Sequence, residues 1–288
     1  MINLEMERTE VNNSGFNLKD LQKKQVEILM LIQELCNRNN INFSIYAGTA
    51  LGAVRHKGFI PWDDDVDIAM SRNDYIKFKE VCKTQLPEKY TFQDYHSEPD
   101  FPMCFGKIRD NNTTFIEEEI QHLNINKGVF VDIFPYDVVP SNKLLRLTQF
   151  IFASLNLLFA RGYPSKKDGK VLYIISKLIL TVIPKKIRHV FRGFCEKQIS
   201  RYRNENYEDA AFLIDRFGNL KKYFPYDLLN SYTMLEFENV NVPIFRDYQK
   251  YLTIQYGDYM TLPPKEERVN KHLPLVCDLK NSYKKYSL

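Results

Sequence analysis

Between residues 46 and 70 the chain reads YAGTALGAVRHKGFIPWDDDVDIAM, where a Gly-Thr pair and the single tryptophan precede four aspartates, Asp63, Asp64, Asp65 and Asp67. In Asp65-Val66-Asp67-Ile68 the carboxylates alternate with apolar residues, so on a β-strand both would project from one face, about 7 Å apart. Two such charges repel unless a cation neutralises them, so the pattern predicts a divalent-metal site for Mg2+ or Mn2+. Upstream, the β-prone run Phe43 to Tyr46 passes through Ala47-Gly48-Thr49 into a short helix, Ala50 to Arg55. A strand that turns into a helix in this way aims amide N–H groups and the positive end of the helix dipole at one point, which suits a phosphate.

The surroundings alternate between helical and strand-like patterns. From Asn17 to about Asn39, Leu18, Leu21, Ile28, Leu29, Ile32 and Leu35 recur at helical spacing and predict a packing helix. Ser71-Arg72-Asn73-Asp74 has the form of an N-cap with an acid three residues on, which predicts a helix over about 72–85. Strands are expected at Val66 to Met70, Tyr90 to Gln93, Cys104 to Arg109, Thr113 to Glu118 and Gly128 to Phe134. The last carries Val131-Asp132-Ile133, a third flanked carboxylate that a neighbouring strand would bring beside Asp65 and Asp67. Lys107 and Arg109 alternate on a strand expected next to the site and are candidates for contacting phosphate. Further on, Met234 to Phe237 and Val240 to Ile244 predict a hairpin across Glu238-Asn239, Arg246 to Tyr256 a helix, and KEERVNKH at 265–272 a polar cluster that includes His272.

The 288 residues contain no Gly/Ser/Pro-rich linker and no internal repeat, so one globular unit over 17–288 is expected, with residues 1–16 as a flexible N-terminus. That start lacks the basic-then-apolar order of a secretory signal. The five cysteines are scattered without a C-x-x-C pair and read as reduced thiols of a cytoplasmic protein. Charge is uneven: 161–203 holds twelve Lys and Arg residues against two acids, within a chain of net charge +4. The same region contains two apolar runs, Leu144 to Ala160 and Val171 to Ile183, the first near the ~17-residue lower limit for a membrane span and carrying Arg146, the second too short. A helical insertion over about 141–206 is expected. It has two open readings: an interfacial element whose basic face meets an anionic membrane, or a buried helical hairpin or oligomer contact. No aromatic-basic RNA platform is present, so nucleic acid is not expected as a partner.

A Gly-Thr turn before a helix, a D-x-D strand and a third strand carboxylate form the layout of the nucleotidyltransferase (DNA polymerase β-like) fold. The expected class is therefore α+β, with a mixed sheet flanked by helices and the apolar, basic helical segment inserted. The stretch at 46–70 strongly resembles the signature of the LicD family, bacterial cholinephosphotransferases related to fukutin and fukutin-related proteins. The resemblance continues in FGKIRDNNTTFIEEE, in GVFVDIFPYDVVP and in YLTIQYGDYMTLPPKEERVNKH, over about residues 20 to 275.

The resemblance implies transfer of a phospho-substituent, phosphocholine in the type members, from a CDP-activated donor to a sugar hydroxyl of a surface glycan, with release of CMP. Related members use CDP-ribitol or CDP-glycerol. By position it implies Asp65 and Asp67 as metal ligands, Asp63 as a supporting acid, and Asp132 as third ligand or general base. Gly48 and Thr49 would meet the donor phosphates, with Arg55, His56 and Lys57 near enough in sequence to neutralise charge there. Asp64 is the member of the run expected to matter least. Two further functions remain open from the residues: transfer of the nucleotide itself, and a basic membrane-binding adaptor without catalysis.

Overall fold

The computed structural model describes residues 17–166, 169–203, 208–214, 217–270 and 274–286. Helix α1 (Leu18–Arg38) starts at Asn17, whose side chain accepts from the Lys19 N–H, and it buries the apolar stripe expected of it. Two glutamines, Gln22 and Gln25, are buried on the same face. Strand β1 (Ser44–Ile45) leads into α2 (Ala47–His56), so the helix begins at the Gly-Thr pair rather than after it. Strand β2 (Asp67–Ser71) and α3 (Arg72–Gln85) follow. The Ser71 hydroxyl accepts from the Asp74 N–H at 3.1 Å, which explains the helix start that the capping pattern predicts.

Strands β3 (Tyr90–Gln93), β4 (Gly106–Asp110), β5 (Thr114–Ile116) and β6 (Val129–Val139) complete the first half of the chain. The main sheet runs β1-β2-β6-β4-β3; β2 and β6 are parallel, and the other pairs are antiparallel. The protein is thus a mixed sheet with helices packed on it. Strand β6 extends five residues past the expected end at Phe134, through Pro135. The proline is tolerated because its missing N–H falls between two ladders, after β4 has ended at Ile133 and before β7 begins at Asp137.

Between β6 and β7 (Asp209–Ala211) stand three helices, α4 (Lys143–Arg161), α5 (Lys170–Val182) and α6 (Lys185–Ile199). The first two correspond to the apolar runs; α6 was not anticipated, because its basic residues mask its apolar spacing. Helix α4, at 19 residues, is long and apolar enough to cross a membrane by length and composition. Its inner face is nevertheless committed to protein: the buried Gln149 amide donates to the Val138 and Ile199 carbonyls, and Arg146 pairs with Asp209 at 3.0 Å. A second small core of Val139, Ala153, Ile199, Ala211, Leu213 and Leu220 lies beneath it.

A buried ionic network ties this insertion to the sheet. Arg72 donates twice to the Asp137 carboxylate, at 2.8 and 2.7 Å, and once to Glu196 of α6 at 3.1 Å. Glu196 also meets the Tyr95 hydroxyl and the His96 ring. Burial alone would raise the Glu196 carboxyl, but the His96 contact, the Arg72 charge and the Tyr95 hydroxyl bring it down to about 2.

The remaining elements are β8 (Phe224–Pro225), α7 (Tyr226–Leu229), the hairpin β9 (Tyr232–Phe237) and β10 (Val240–Phe245), α8 (Tyr248–Tyr256) and β11 (Val276–Asp278), which pairs with β5. The hairpin turns across Glu238 and Asn239 as expected, both with positive φ (50° and 64°). Its Glu238 carboxylate accepts from the Phe59 N–H at 3.0 Å, and a Cβ on Gly58 would lie 2.2 Å from that carboxylate, so a side chain there would have to push Glu238 aside.

Candidate active site

The register of three strands builds the centre of the site. Asp67 stands opposite Asp132 in the parallel β2–β6 pair, and Asp132 stands opposite Lys107 in the antiparallel β6–β4 pair. The three side chains therefore form one row across the sheet. Lys107 Nζ lies 2.7 Å from Asp132 Oδ1, with both side chains almost fully buried, and it also sits 3.3 Å from the centre of the Phe130 ring. The sequence reading aimed Lys107 at a phosphate; in the structure its ammonium is paired with the carboxylate.

Asp65 does not share a strand with Asp67, as the alternation suggested. The strand begins at Asp67 because the Asp67 N–H is taken by the Thr49 hydroxyl at 2.8 Å, while its carbonyl accepts from the Tyr46 N–H. Asp63, Asp64 and Asp65 lie in the loop just before it. This loop is gripped from α1, where Gln22 and Gln25 donate to the Asp63 and Asp64 carbonyls at 2.9 and 2.8 Å. Neither glutamine was singled out from sequence, although two amides at i and i+3 on the apolar face of a helix are a readable anomaly.

Among the described residues, Asp63, Asp64 and Asp65 form a group whose carboxylate oxygens lie within 4.8 Å of one another. Asp64 is buried and belongs to this tight group, although sequence reasoning ranked it last of the run. Asp67 joins it electrostatically. Burial raises the Asp67 carboxyl well above its ordinary value, the charges of Asp65, Asp132 and Asp63 raise it further, and Lys107 opposes them. The Asp132 carboxyl is raised by burial, against the pull of Lys107 and Arg109. Negative charge gathered this densely around the buried Lys107 and Arg109 is the environment that a divalent cation relieves, and the all-carboxylate oxygen set suits Mg2+ or Mn2+.

The N-terminus of α2 serves the acid loop. A Cβ on Gly48 would lie 2.9 Å from Asp63 Oδ2, so the missing side chain lets that carboxylate approach the first helical turn, where the dipole favours it. The Tyr251 hydroxyl meets the Ala47 N–H at 3.1 Å. Thr49, only 1% exposed, holds Asp67 and is not placed at the surface where a phosphate would arrive. Arg55 and His56 occupy the other end of α2, about 12 Å along its axis from Ala47.

Arg55 donates to His56 Nε2 at 3.0 Å and to the Tyr259 carbonyl at 3.1 Å. Burial and the adjacent Arg55 hold the His56 ring below its ordinary value, which keeps it an acceptor. Lys57 points outward, with 78% of its side chain exposed, near Glu236. Arg109 is fully buried and donates to Gln93 at 2.6 Å and to the Gly128 carbonyl at 2.7 Å, so its guanidinium supports the sheet. His272 lies outside the described residues. Arg268, which the sequence did not single out, places its guanidinium 5.8 Å from the centre of the Trp62 ring and brings the C-terminal motif against the acid loop. Trp62 is half-buried and packs against the main core.

Residues 40–157 match the family model described as LicD/FKTN/FKRP, nucleotidyltransferase domain. The lipopolysaccharide cholinephosphotransferase LicD of Haemophilus influenzae is 30% identical over 267 residues, covering 89% of this chain and 96% of that protein. The chain belongs to the LicD family. Two uncharacterized rickettsial proteins share part of it: one of Rickettsia typhi is 28% identical over 191 residues, 59% of this chain and 57% of its own length. The other, of Rickettsia prowazekii, is 30% identical over 143 residues, 47% of this chain and 50% of its own. The LicD match spans the row of Asp67, Asp132 and Lys107 as well as the acid loop. Membership of this family makes the protein a transferase and sets aside the reading of a non-catalytic adaptor.

Proposed function

We propose that this LicD-family protein transfers phosphocholine from a CDP-activated donor to a sugar hydroxyl of a cell-surface glycan such as lipopolysaccharide, releasing CMP. The observation that carries the reading is the Asp67–Asp132–Lys107 row with the acid loop beside it, in a chain that matches a lipopolysaccharide cholinephosphotransferase over most of its length. Asp65, Asp67 and Asp132 would hold Mg2+ or Mn2+, with Asp63 and Asp64 alongside. When bound, the cation withdraws charge from the donor's phosphate oxygens and lets the carboxylates remain ionised together.

The chain's own residues do the rest. The acceptor O–H is oriented against Asp132, which takes the proton as the new P–O bond to the choline-bearing phosphorus forms and the bond to CMP breaks. Lys107 fixes the orientation of that carboxylate and supplies positive charge beside the reacting phosphate. Thr49 and Gly48 set the positions of Asp67 and Asp63. Arg268, over the Trp62 ring beside the acid loop, would meet the anionic donor. With a cytidine nucleotide as donor, the reaction would run in the cytoplasm, at the inner face of the membrane for a lipid-anchored acceptor.

A panel of CDP-choline, CDP-ethanolamine, CDP-glycerol and CDP-ribitol, scored by CMP release with Mg2+ present, tests donor and reaction together. CDP-choline is expected to give the highest kcat/KM, and Asp67→Asn and Asp132→Asn are expected to lower it by about a thousandfold while the protein stays folded. Wild-type rates in both variants would sink the reading. The family model's description favours nucleotidyl transfer as a second reading. With a nucleoside triphosphate such as CTP supplied as donor, pyrophosphate among the products and the nucleotide attached to the acceptor would establish it instead.

A further inference from the structure

The three inserted helices turn apolar stripes outward. On α5, Val171, Ile175, Leu178 and Val182 recur at i, i+4, i+7 and i+11, and each is 47% or more exposed. On α6, Ile187, Val190, Phe191 and Phe194 repeat the pattern, and on α4 Leu144, Leu147 and Ile151 do so. Fifteen of the twenty-one exposed large apolar side chains among the described residues lie between Leu144 and Phe194. Helix α5 buries only Ser176 and Leu180, and it is fastened by a small cluster of Leu158, Phe159 and Leu180. Arg188 caps its C-terminal end by donating to the Leu180 and Ile183 carbonyls. This is a helix whose apolar side was left for something outside the chain.

The charge around these stripes selects the occupant. Lys143, Lys166, Lys170, Lys177, Lys186 and Lys197 are exposed on or beside the same helices. Among the described residues of α4, α5 and α6 the one acid is Glu196, and it is engaged with Arg72, Tyr95 and His96. A second copy of the chain would bring lysine against lysine with no exposed acid on these helices to answer it. A bilayer surface rich in anionic headgroups satisfies both parts, because the apolar stripes enter the acyl boundary while the lysine stems reach back to the phosphates.

We propose that α4, α5 and α6 form a docking face that seats the protein peripherally on an anionic membrane surface. The proposal stands independently of the chemistry assigned to the acid loop. The full-length protein is mixed with vesicles of phosphatidylcholine alone or with phosphatidylglycerol added, and bound protein is measured by flotation at low and high salt. Recruitment to the anionic vesicles is expected, weakened by salt and reduced by about tenfold or more in Leu178→Glu/Val182→Glu and in Lys170→Glu/Lys177→Glu. Both double variants alter exposed positions and are expected to keep the wild-type melting temperature and CMP release from soluble substrate. Failure of the wild-type protein to float with anionic vesicles overturns the proposal, as does undiminished binding of both variants. A wild-type dimer that Leu178→Glu/Val182→Glu converts to monomer, without vesicle recruitment, assigns the face to a second copy and overturns it as well.

Discussion

The Lys107 ammonium lies 2.7 Å from the Asp132 carboxylate, and it is the buried positive charge placed directly in the row of acids that crosses β2, β6 and β4. Replacing it with methionine keeps the volume and removes the charge. Lys107→Met is expected to cost about 3 kcal/mol, because breaking a buried pair strands its partner. Chemical denaturation measures the loss. Part of it should return with Mn2+, since a cation replaces some of the missing charge.

The raised carboxyls of Asp67 and Asp132 give the metal-free protein a specific pH dependence. A carboxyl raised on folding binds its proton more tightly in the native state, so its stability contribution is present at low pH and is lost as pH rises through the folded value. In EDTA, stability from this centre is therefore expected to grow as pH falls from neutral toward the ordinary carboxylate range. Divalent cation should reverse the sign, raising Tm most at the higher pH, because protons and metal compete for the same oxygens. Melting curves with EDTA and with Mn2+ across that range check both. Equal Tm in the two conditions at every pH would rule out a cation at the acids.

Thr49 acts on Asp67 through the main chain. Thr49→Val leaves the Asp67 N–H without its acceptor and is expected to cost about 1–3 kcal/mol, whereas Thr49→Ser restores it. Because Asp67 moves, kcat should fall more than KM rises. A change in KM alone would indicate that the hydroxyl touches the donor.

Gly48 separates stability from activity. Alanine is favoured over glycine inside a helix by about 1 kcal/mol, so Gly48→Ala is expected to leave Tm unchanged or slightly higher. Its Cβ, 2.9 Å from Asp63 Oδ2, must displace that carboxylate. Activity is expected to drop by about tenfold or more for a shift of this kind. An alanine variant of full activity would show that the Asp63 position is not critical.

Glu196 predicts an acid-sensitive tie between the insertion and the sheet. Its carboxyl is lowered from 4.5 to about 2, so the stabilisation is complete above the unfolded value and is lost as pH falls from 4.5 toward 2. After allowance for the 24% of the side chain that water reaches, this amounts to about 2 kcal/mol. Glu196→Gln should show that deficit at neutral pH, and the gap to wild type should close across the acid window. Urea titrations at several pH values follow it.

Much of this protein is legible locally. The helix Arg72–Gln85 follows from Ser71 and Asp74, the hairpin from its two-residue turn, and β3 from a short β-prone run bounded by turn residues. Asp132 was legible as a carboxylate between apolar residues, but its position opposite Asp67 depends on which strands pair, a long-range choice that no window of residues contains. The same limit explains the misplacement of Asp65. Alternation predicted one strand face for Asp65 and Asp67, whereas a hydroxyl eighteen residues upstream intercepts the Asp67 N–H and ends the strand there. The full burial of Arg109 was not legible, because strand alternation gives a face but not a depth. The buried Gln22 and Gln25 are the missed signal with the most consequence, since they read as defects in a packing stripe and serve as clamps on the acid loop.

Because Asp67, Asp132 and Lys107 each come from a different strand, the site records how the sheet was assembled. A slip of one residue in β2, β6 or β4 would turn that strand's contribution to the opposite face and dismantle the row. Misaligned molecules of otherwise native compactness would therefore be silent in turnover. Specific activity in this protein is therefore sensitive to strand register, which a measure of compactness alone does not read.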